Sequence, residues 1–244
     1  MPKALSPSRI QPLLGWYATN ARTLPWRRAP GAPLPADPHW PYRVWLSEVM
    51  LQQTTVEAVK PYFAAFTARW PTVEALAAAA DEDVMHAWAG LGYYARARNL
   101  LACARTIASQ HGGRFPQTEA ELRRLPGLGA YSAAAIAAFA FGQRAIIIDG
   151  NIERVITRLA NIHTPLPAAR PQIAAALDAL TPDGLLAADF AQALMDLARS
   201  LCTPKSPRCT ACPLQPGCTA QNPEILPQKA AKRPRPVQIG RAHV

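Results

Sequence analysis

The chain has 244 residues, half of them hydrophobic. That is enough for one large domain or two small ones with real cores, and too apolar for a disordered chain. Its 26 basic and 16 acidic residues leave a formal charge of +10, which favours a polyanionic partner such as nucleic acid without establishing one. No signal peptide is apparent, and tracts such as Ala133 to Ala140 are too short to span a bilayer, so the expected protein is soluble, intracellular and kept reduced.

Alanine and leucine dominate, β-branched runs are few and helical periodicity recurs, which predicts an all-α fold. Residues 8–22 read as a first helix with Ile10, Leu13, Leu14 and Tyr17 on one face. Six prolines from Pro25 through Pro41 then make a regular helix very unfavourable. A strong helical pattern starts at Tyr42, with Val44, Trp45, Val49 and Leu51 clustered around Glu48. The plain reading of Glu48 is an exposed helix carboxylate, the usual fate of Glu. Its apolar neighbours argue for burial, which would raise its pKa. The polar run Gln52-Gln53-Thr54-Thr55 follows and fits a solvated helix end.

A helix is predicted over 56–69, and Thr72 and Asp81 mark the starts of two more. The second of these reaches Trp88 and stops at Gly90-Leu91-Gly92, with Tyr93-Tyr94 just beyond. These tyrosines either pack or present aromatic faces to bases, where stacking contributes about 1–3 kcal/mol each. Arg96 and Arg98 place charge next to them. Thr118 and Glu121 form a capping-box pattern. After the break at Leu125-Pro126-Gly127-Leu128-Gly129, a second helix runs from about Tyr131 to Phe141 and is closed by Gly142. Gly127 and Gly129 permit a tight turn with positive φ and leave amides bare at a helix N-terminus, which suits a phosphate. A purely structural helical hairpin competes with that reading.

Ile148-Asp149-Gly150-Asn151 sets one carboxylate between a run of isoleucines and a glycine. Taken alone, Asp149 is an N-cap. Helices are expected to follow over 152–160, 170–180 and 187–201. Four of the five cysteines, Cys202, Cys209, Cys212 and Cys218, fall within seventeen residues at a spacing of C-x6-C-x2-C-x5-C, whereas Cys103 stands alone on an apolar helix face. In a reducing compartment such crowding argues for a metal centre over disulfides. Zinc and a [4Fe–4S] cluster would both accept four thiolates, and a single Cys-x2-Cys pair flanked by lone cysteines leans toward the cluster. Lys205 and Arg208 lie in the first of these loops.

Together, the helix–hairpin–helix at 118–141, the Ile148–Asn151 stretch and the cysteine spacing resemble the helix–hairpin–helix DNA glycosylases that carry an iron–sulfur cluster. Leu24-Pro25-Trp26-Arg27, Ser47-Glu48-Val49-Met50-Leu51-Gln52-Gln53-Thr54 and Gly90-Leu91-Gly92-Tyr93-Tyr94 are similar to adenine DNA glycosylases of the MutY type. The resemblance covers about residues 8–222. It implies two helical domains with a DNA cleft between them: an iron–sulfur cluster domain from 1–28 and 148–222, and a six-helix barrel over 29–147. It also implies a monofunctional hydrolase that flips out adenine mispaired with 8-oxoguanine or guanine in double-stranded DNA. The enzyme would act as a cytoplasmic, nucleoid-associated bacterial monomer.

On the matching positions, the resemblance makes Glu48 the acid that protonates adenine and Asp149 the anion that stabilises an oxocarbenium-like sugar. Asn151 is grouped with the catalytic residues. Tyr131 stands where bifunctional relatives of the endonuclease III type have a Schiff-base lysine. Trp26, Arg27 and Gln192 line the adenine pocket, while Gln53 and Tyr93 enter the DNA stack. Gly127 and Gly129 hold phosphate, and the four clustered cysteines ligate a [4Fe–4S] cluster.

The chain departs from this pattern in a longer loop from Ala29 to Trp40, which puts the local path into the pocket in question. It also stops at Val244, after a basic, proline-rich tail over 223–244, without the Nudix-like domain that reads 8-oxoguanine in such enzymes. The closing Ile239-Gly240-Arg241-Ala242-His243-Val244 matches one frame of a common sequencing adapter, so the expectation is a reading frame truncated there, with chance similarity as the alternative. Other readings of the chain are an endonuclease III-like lyase for oxidised pyrimidines, a non-catalytic DNA-binding module and a zinc-binding structural protein.

Overall fold

The computed structural model describes residues 10–230. Residues 1–9 and 231–244 lie outside that range, and with them the start of the first expected helix, most of the basic tail and the adapter-like ending. The described residues form eleven α-helices and short 3-10 turns, with no β-strand beyond one isolated bridge between Leu166 and Lys229. No described helix is long and apolar enough to cross a membrane.

The helices are α1 (Gln11–Asn20), α2 (Trp40–Met50), α3 (Val56–Arg69), α4 (Val73–Ala77), α5 (Asp81–Ala87), α6 (Ala95–His111), α7 (Glu119–Leu122), α8 (Ala130–Phe141), α9 (Gly150–Leu159), α10 (Arg170–Leu180) and α11 (Leu185–Ser200). Several start where a polar side chain can accept from a free amide. Thr55, Thr72 and Thr118 cap α3, α4 and α7 in this way, and Asp149 caps α9. Helix α2 begins two residues before the expected Tyr42. Pro41 sits in its first turn, where a missing N–H costs nothing.

Helix α8 is the hub. Its residues from Ser132 to Ala140 are all buried, and its many alanines let neighbouring axes approach closely. It packs against α2, α7 and α11. Helices α2 to α8 pack mainly among themselves, whereas α1, α9 and α10 pack around α11 and one another. The contact between α8 and α11 joins the two groups. The chain thus enters the second group with α1, builds the first, and returns at α9.

The glycine hairpin between α7 and α8 corrects one expectation. Only Gly127 is left-handed, at φ +76°, while Gly129 is extended and caps α8. A Cβ at Gly127 would also stand 2.7 Å from the Asn99 Cβ, so both backbone and space demand glycine there. Gly129 serves instead by leaving the start of α8 uncovered, where the first amides have no partner within the helix.

Candidate active site

A cavity of about 550 Å³ opens where the two helix groups meet. Glu48 enters it from α2, Tyr131 from α8, Asp149 and Asn151 from the start of α9, Gln192 from α11, and Trp26 and Arg27 from the turn after α1. A second opening shares Glu48, Tyr131 and Asp149, and is lined further by Gln52, Gln53, Gly127, Gly129 and Ser132. The expected catalytic, pocket and phosphate-holding residues therefore come together at these two openings, and so does Gln53. Tyr93 lines neither, and the four cysteines gather elsewhere.

Glu48 is buried, only 6 % exposed. Burial pushes its pKa up from the usual carboxylate range to about 7, and the nearby Asp149 charge acts in the same direction. A hydrogen bond with the Tyr131 hydroxyl and the Arg27 charge act the other way. The Tyr131 phenol is itself pushed well up, first by burial and then by the Glu48 charge. A carboxyl with a pKa near 7 can both hold and release a proton at neutral pH.

Asp149 is half-buried, and its negative charge is met directly. Oδ1 accepts from the Asn151 amide at 3.0 Å and the Ile152 amide at 2.7 Å, and Oδ2 accepts from Asn151 Nδ2 at 2.9 Å. The cap and the site residue are therefore one and the same, and α9 presents its positive end to this carboxylate. Asn151 in turn accepts from Arg154, which also donates to the carbonyls of Ala198 and Cys202.

Asp196 was not singled out from the sequence. Its carboxylate accepts from Arg22 Nε at 2.6 Å and from Arg27 Nη1 at 2.9 Å. Gln192, one turn earlier, accepts from the Tyr17 hydroxyl at 2.7 Å. Asp189 pairs with Arg28 at 2.7 Å. A signal for this was present: Asp189, Gln192 and Asp196 are polar residues at helical spacing in a helix that is otherwise apolar as far as Ala198. The long loop after Arg28 stays out of the cavity, since no residue from Ala29 to Trp40 lines it.

Gln53 and Tyr93 are exposed and both adopt positive φ, at 58° and 51°. Arg96 stands against the Tyr93 ring, 5.6 Å from its centre, as its place in the sequence suggests. It is nevertheless buried and not offered to solvent. It donates to the carbonyls of Met50 and Leu91 and to Thr54, tying the turn that carries Gln53 to the turn before Tyr93. Arg98 is exposed.

The four clustered cysteines line one cavity, together with Arg158. Among the described residues, no three Cys, His, Asp or Glu side chains converge tightly enough to hold a single ion. Arg158 fits an anionic group held among these thiols. It is 1 % exposed, donates to Cys202 Sγ at 3.3 Å and to the carbonyls of Thr203, Pro204 and Leu226, and has no carboxylate partner among the described residues. A buried cation is costly without a counter-charge, and a thiolate-ligated cluster supplies one. Cys103 is buried away from this site.

Residues 46–182 match the family described as HhH-GPD superfamily base excision DNA repair protein, and residues 202–218 match the iron-sulfur binding domain of endonuclease III. The second match spans all four clustered cysteines, and the cofactor of this region is a [4Fe–4S] cluster. The chain is 42 % identical over 211 residues to the adenine DNA glycosylase of Homo sapiens, covering 86 % of this chain and 38 % of that protein. It is 42 % identical over 202 residues to the adenine DNA glycosylase of Mycolicibacterium smegmatis, covering 83 % and 66 %. The chain thus spans less than two thirds of the length of either relative. Among solved structures, a thermostable thymine-DNA glycosylase superposes with a TM-score of 0.73 at 27 % identity, covering 86 % of this chain and 93 % of that one. A non-covalent endonuclease III–DNA complex superposes at 0.69 and 22 % identity, covering 88 % and 96 %, which speaks for the fold alone.

Proposed function

We infer, for a chain that belongs to the HhH-GPD superfamily of base excision DNA repair proteins, that it is a monofunctional adenine DNA glycosylase acting on adenine opposite 8-oxoguanine or guanine in duplex DNA. The observation that carries this reading is the pair of unlike carboxylates across one cavity. Glu48 has a pKa of about 7, and Asp149 has its charge met by three N–H donors.

Adenine in a duplex is out of reach, so it must be extruded at a cost of a few kcal/mol. Glu48 then gives its proton to the adenine ring, and the C–N bond breaks with its electron pair going to the base. Asp149 faces the cation that develops on the sugar, and water adds to the sugar carbon and loses its proton to the Glu48 carboxylate, which restores the acid. Tyr131 offers no amine, so no Schiff base to the sugar forms. The groove between the two helix groups is the proposed DNA cleft. Gly127 and Gly129 would hold a phosphate at the bare start of α8, and Gln53 and Tyr93 would enter the stack. The cluster, with Cys202, Cys209, Cys212 and Cys218 as its proposed ligands, would order a loop that exposes Lys205 and Arg208.

The test is single-turnover incubation with duplexes carrying adenine opposite 8-oxoguanine, guanine or thymine, followed by alkaline cleavage. Strand breaks at adenine in the first two duplexes, lost in Glu48→Gln, are expected. No release of adenine from any duplex overturns the reading, and cleavage at an oxidised pyrimidine with borohydride trapping would favour the lyase.

A further inference from the structure

We propose that Asp196 is a positioning residue that anchors the Arg27 guanidinium to the cavity wall and so keeps that cation from forming an ion pair with the Glu48 carboxyl. This deepens, and rests on, the role given to Glu48 above.

Asp196 is buried, with 3 % of its side chain exposed, and a carboxylate in that position needs partners. It has two cations, one on each oxygen. Oδ1 takes Arg22 Nε at 2.6 Å, and Oδ2 takes Arg27 Nη1 at 2.9 Å together with the Arg22 amide at 3.2 Å. Arg28, next in sequence, is bound separately by Asp189. The two carboxylates lie two turns apart on α11, about 10 Å along its axis, so neighbouring arginines are held apart and cannot exchange partners. The anchor is itself fixed by the hydrogen bond between Gln192 and Tyr17, which pins the same face of α11 to α1.

The anchoring matters because Arg27 shares the cavity with Glu48. The groups that act on Glu48 are Tyr131 from α8, Arg27 from the turn after α1 and Asp149 at the start of α9. Arg22, Glu57, Arg154 and Arg199 also line the cavity. Of the three that act on Glu48, Arg27 is the one cation, and its charge favours the ionised carboxylate. Released from Asp196, it would pair with Glu48 and strip the acid of its proton at neutral pH. A general acid that has lost its proton cannot serve the leaving base.

The test uses the full chain with carbon-13 in its glutamate carboxyls, and Glu48→Gln to identify the Glu48 signal. Asp196→Asn should lower the Glu48 titration midpoint. The alkaline fall in single-turnover adenine excision should move down with it, about tenfold in rate for each pH unit by which the midpoint drops, while duplex affinity stays the same. Adding Arg27→Met to Asp196→Asn should cancel the shift of the Glu48 midpoint, and Asp196→Glu should restore part of the original midpoint. An unmoved midpoint in folded Asp196→Asn overturns the proposal, as does an equal drop with and without Arg27. If Asp196→Asn does not fold, Arg27→Met alone decides. A midpoint that then rises by less than about half a pH unit supports the anchor, and any larger rise means the cation already acts fully on Glu48 and overturns it. If the wild type releases no adenine, the functional reading fails, yet the titration still decides what Asp196 does.

Discussion

At the N-terminus of α9 the Asp149 carboxylate is met by two amides and the Asn151 side chain, whereas near the other end the buried Arg158 guanidinium donates to carbonyls and a cysteine sulfur, with no carboxylate partner among the described residues. The pocket end is therefore completed by the protein's own groups: Asp196 has its arginines, Gln192 has Tyr17, and Glu48 has Tyr131. The cysteine end holds a cation in need of an anion. One helix thus joins a region preorganised by the fold to a region whose charge balance depends on a cofactor, and the two should respond differently to substitution.

The strongest loss is expected at the pocket end. Glu48→Gln should lower adenine excision by about 10² to 10⁴, the range a positioned acid contributes, without loss of duplex affinity. In the wild type the acid form is lost as pH rises through about 7, so excision should fall above that pH. A flat pH profile from about 6 to 9 would contradict the proposed role of Glu48 as the acid.

Next comes the cysteine end. Cys209→Ser should lose most of the iron and speed hydrogen exchange across 202–218, while α2 and α8 stay protected. Equal loss of protection in α8 would show that the pocket also depends on the cofactor and would erase the contrast.

A smaller effect concerns stability. The Glu48 pKa is raised on folding, from 4.5 to about 7. The folded state therefore holds the proton more tightly than the unfolded chain, and the wild type loses stability as pH rises between those two values. Below the lower value there is no such loss. Glu48→Gln should be more stable than the wild type at a pH of about 8 by up to about 3 kcal/mol, and unchanged at about 4. Denaturant unfolding at both values checks this, and equal stability under the alkaline condition would mean that Glu48 is better solvated than its burial implies.

The mildest change is expected at Tyr131. Its hydrogen bond lowers the Glu48 pKa, so Tyr131→Phe should move the alkaline fall in excision to higher pH. Movement to lower pH would mean the phenol accepts from the protonated Glu48 carboxyl instead of donating to its carboxylate.

Some features were legible in the sequence because their physics is local. Asp149 caps the helix that it opens, Thr55, Thr72 and Thr118 cap theirs, and Gly142 closes α8, all through partners a few residues away. The cysteine spacing pointed to a cluster for the same reason, since its four thiols lie within one short stretch of chain. The partners of Arg96 and Asp196 could not be found this way. Arg96 is used up on carbonyls more than forty residues earlier, at Val49 and Met50, and Asp196 binds arginines near the other end of the chain. Periodicity, caps and spacing are properties of neighbours along the chain, and they were enough to specify an all-helical protein, whereas the pairing of Glu48 with Asp149 as candidate site carboxylates came from the resemblance to a family. That Glu48 loses its water was settled by folding alone, because desolvation depends on which distant helices close over a side chain.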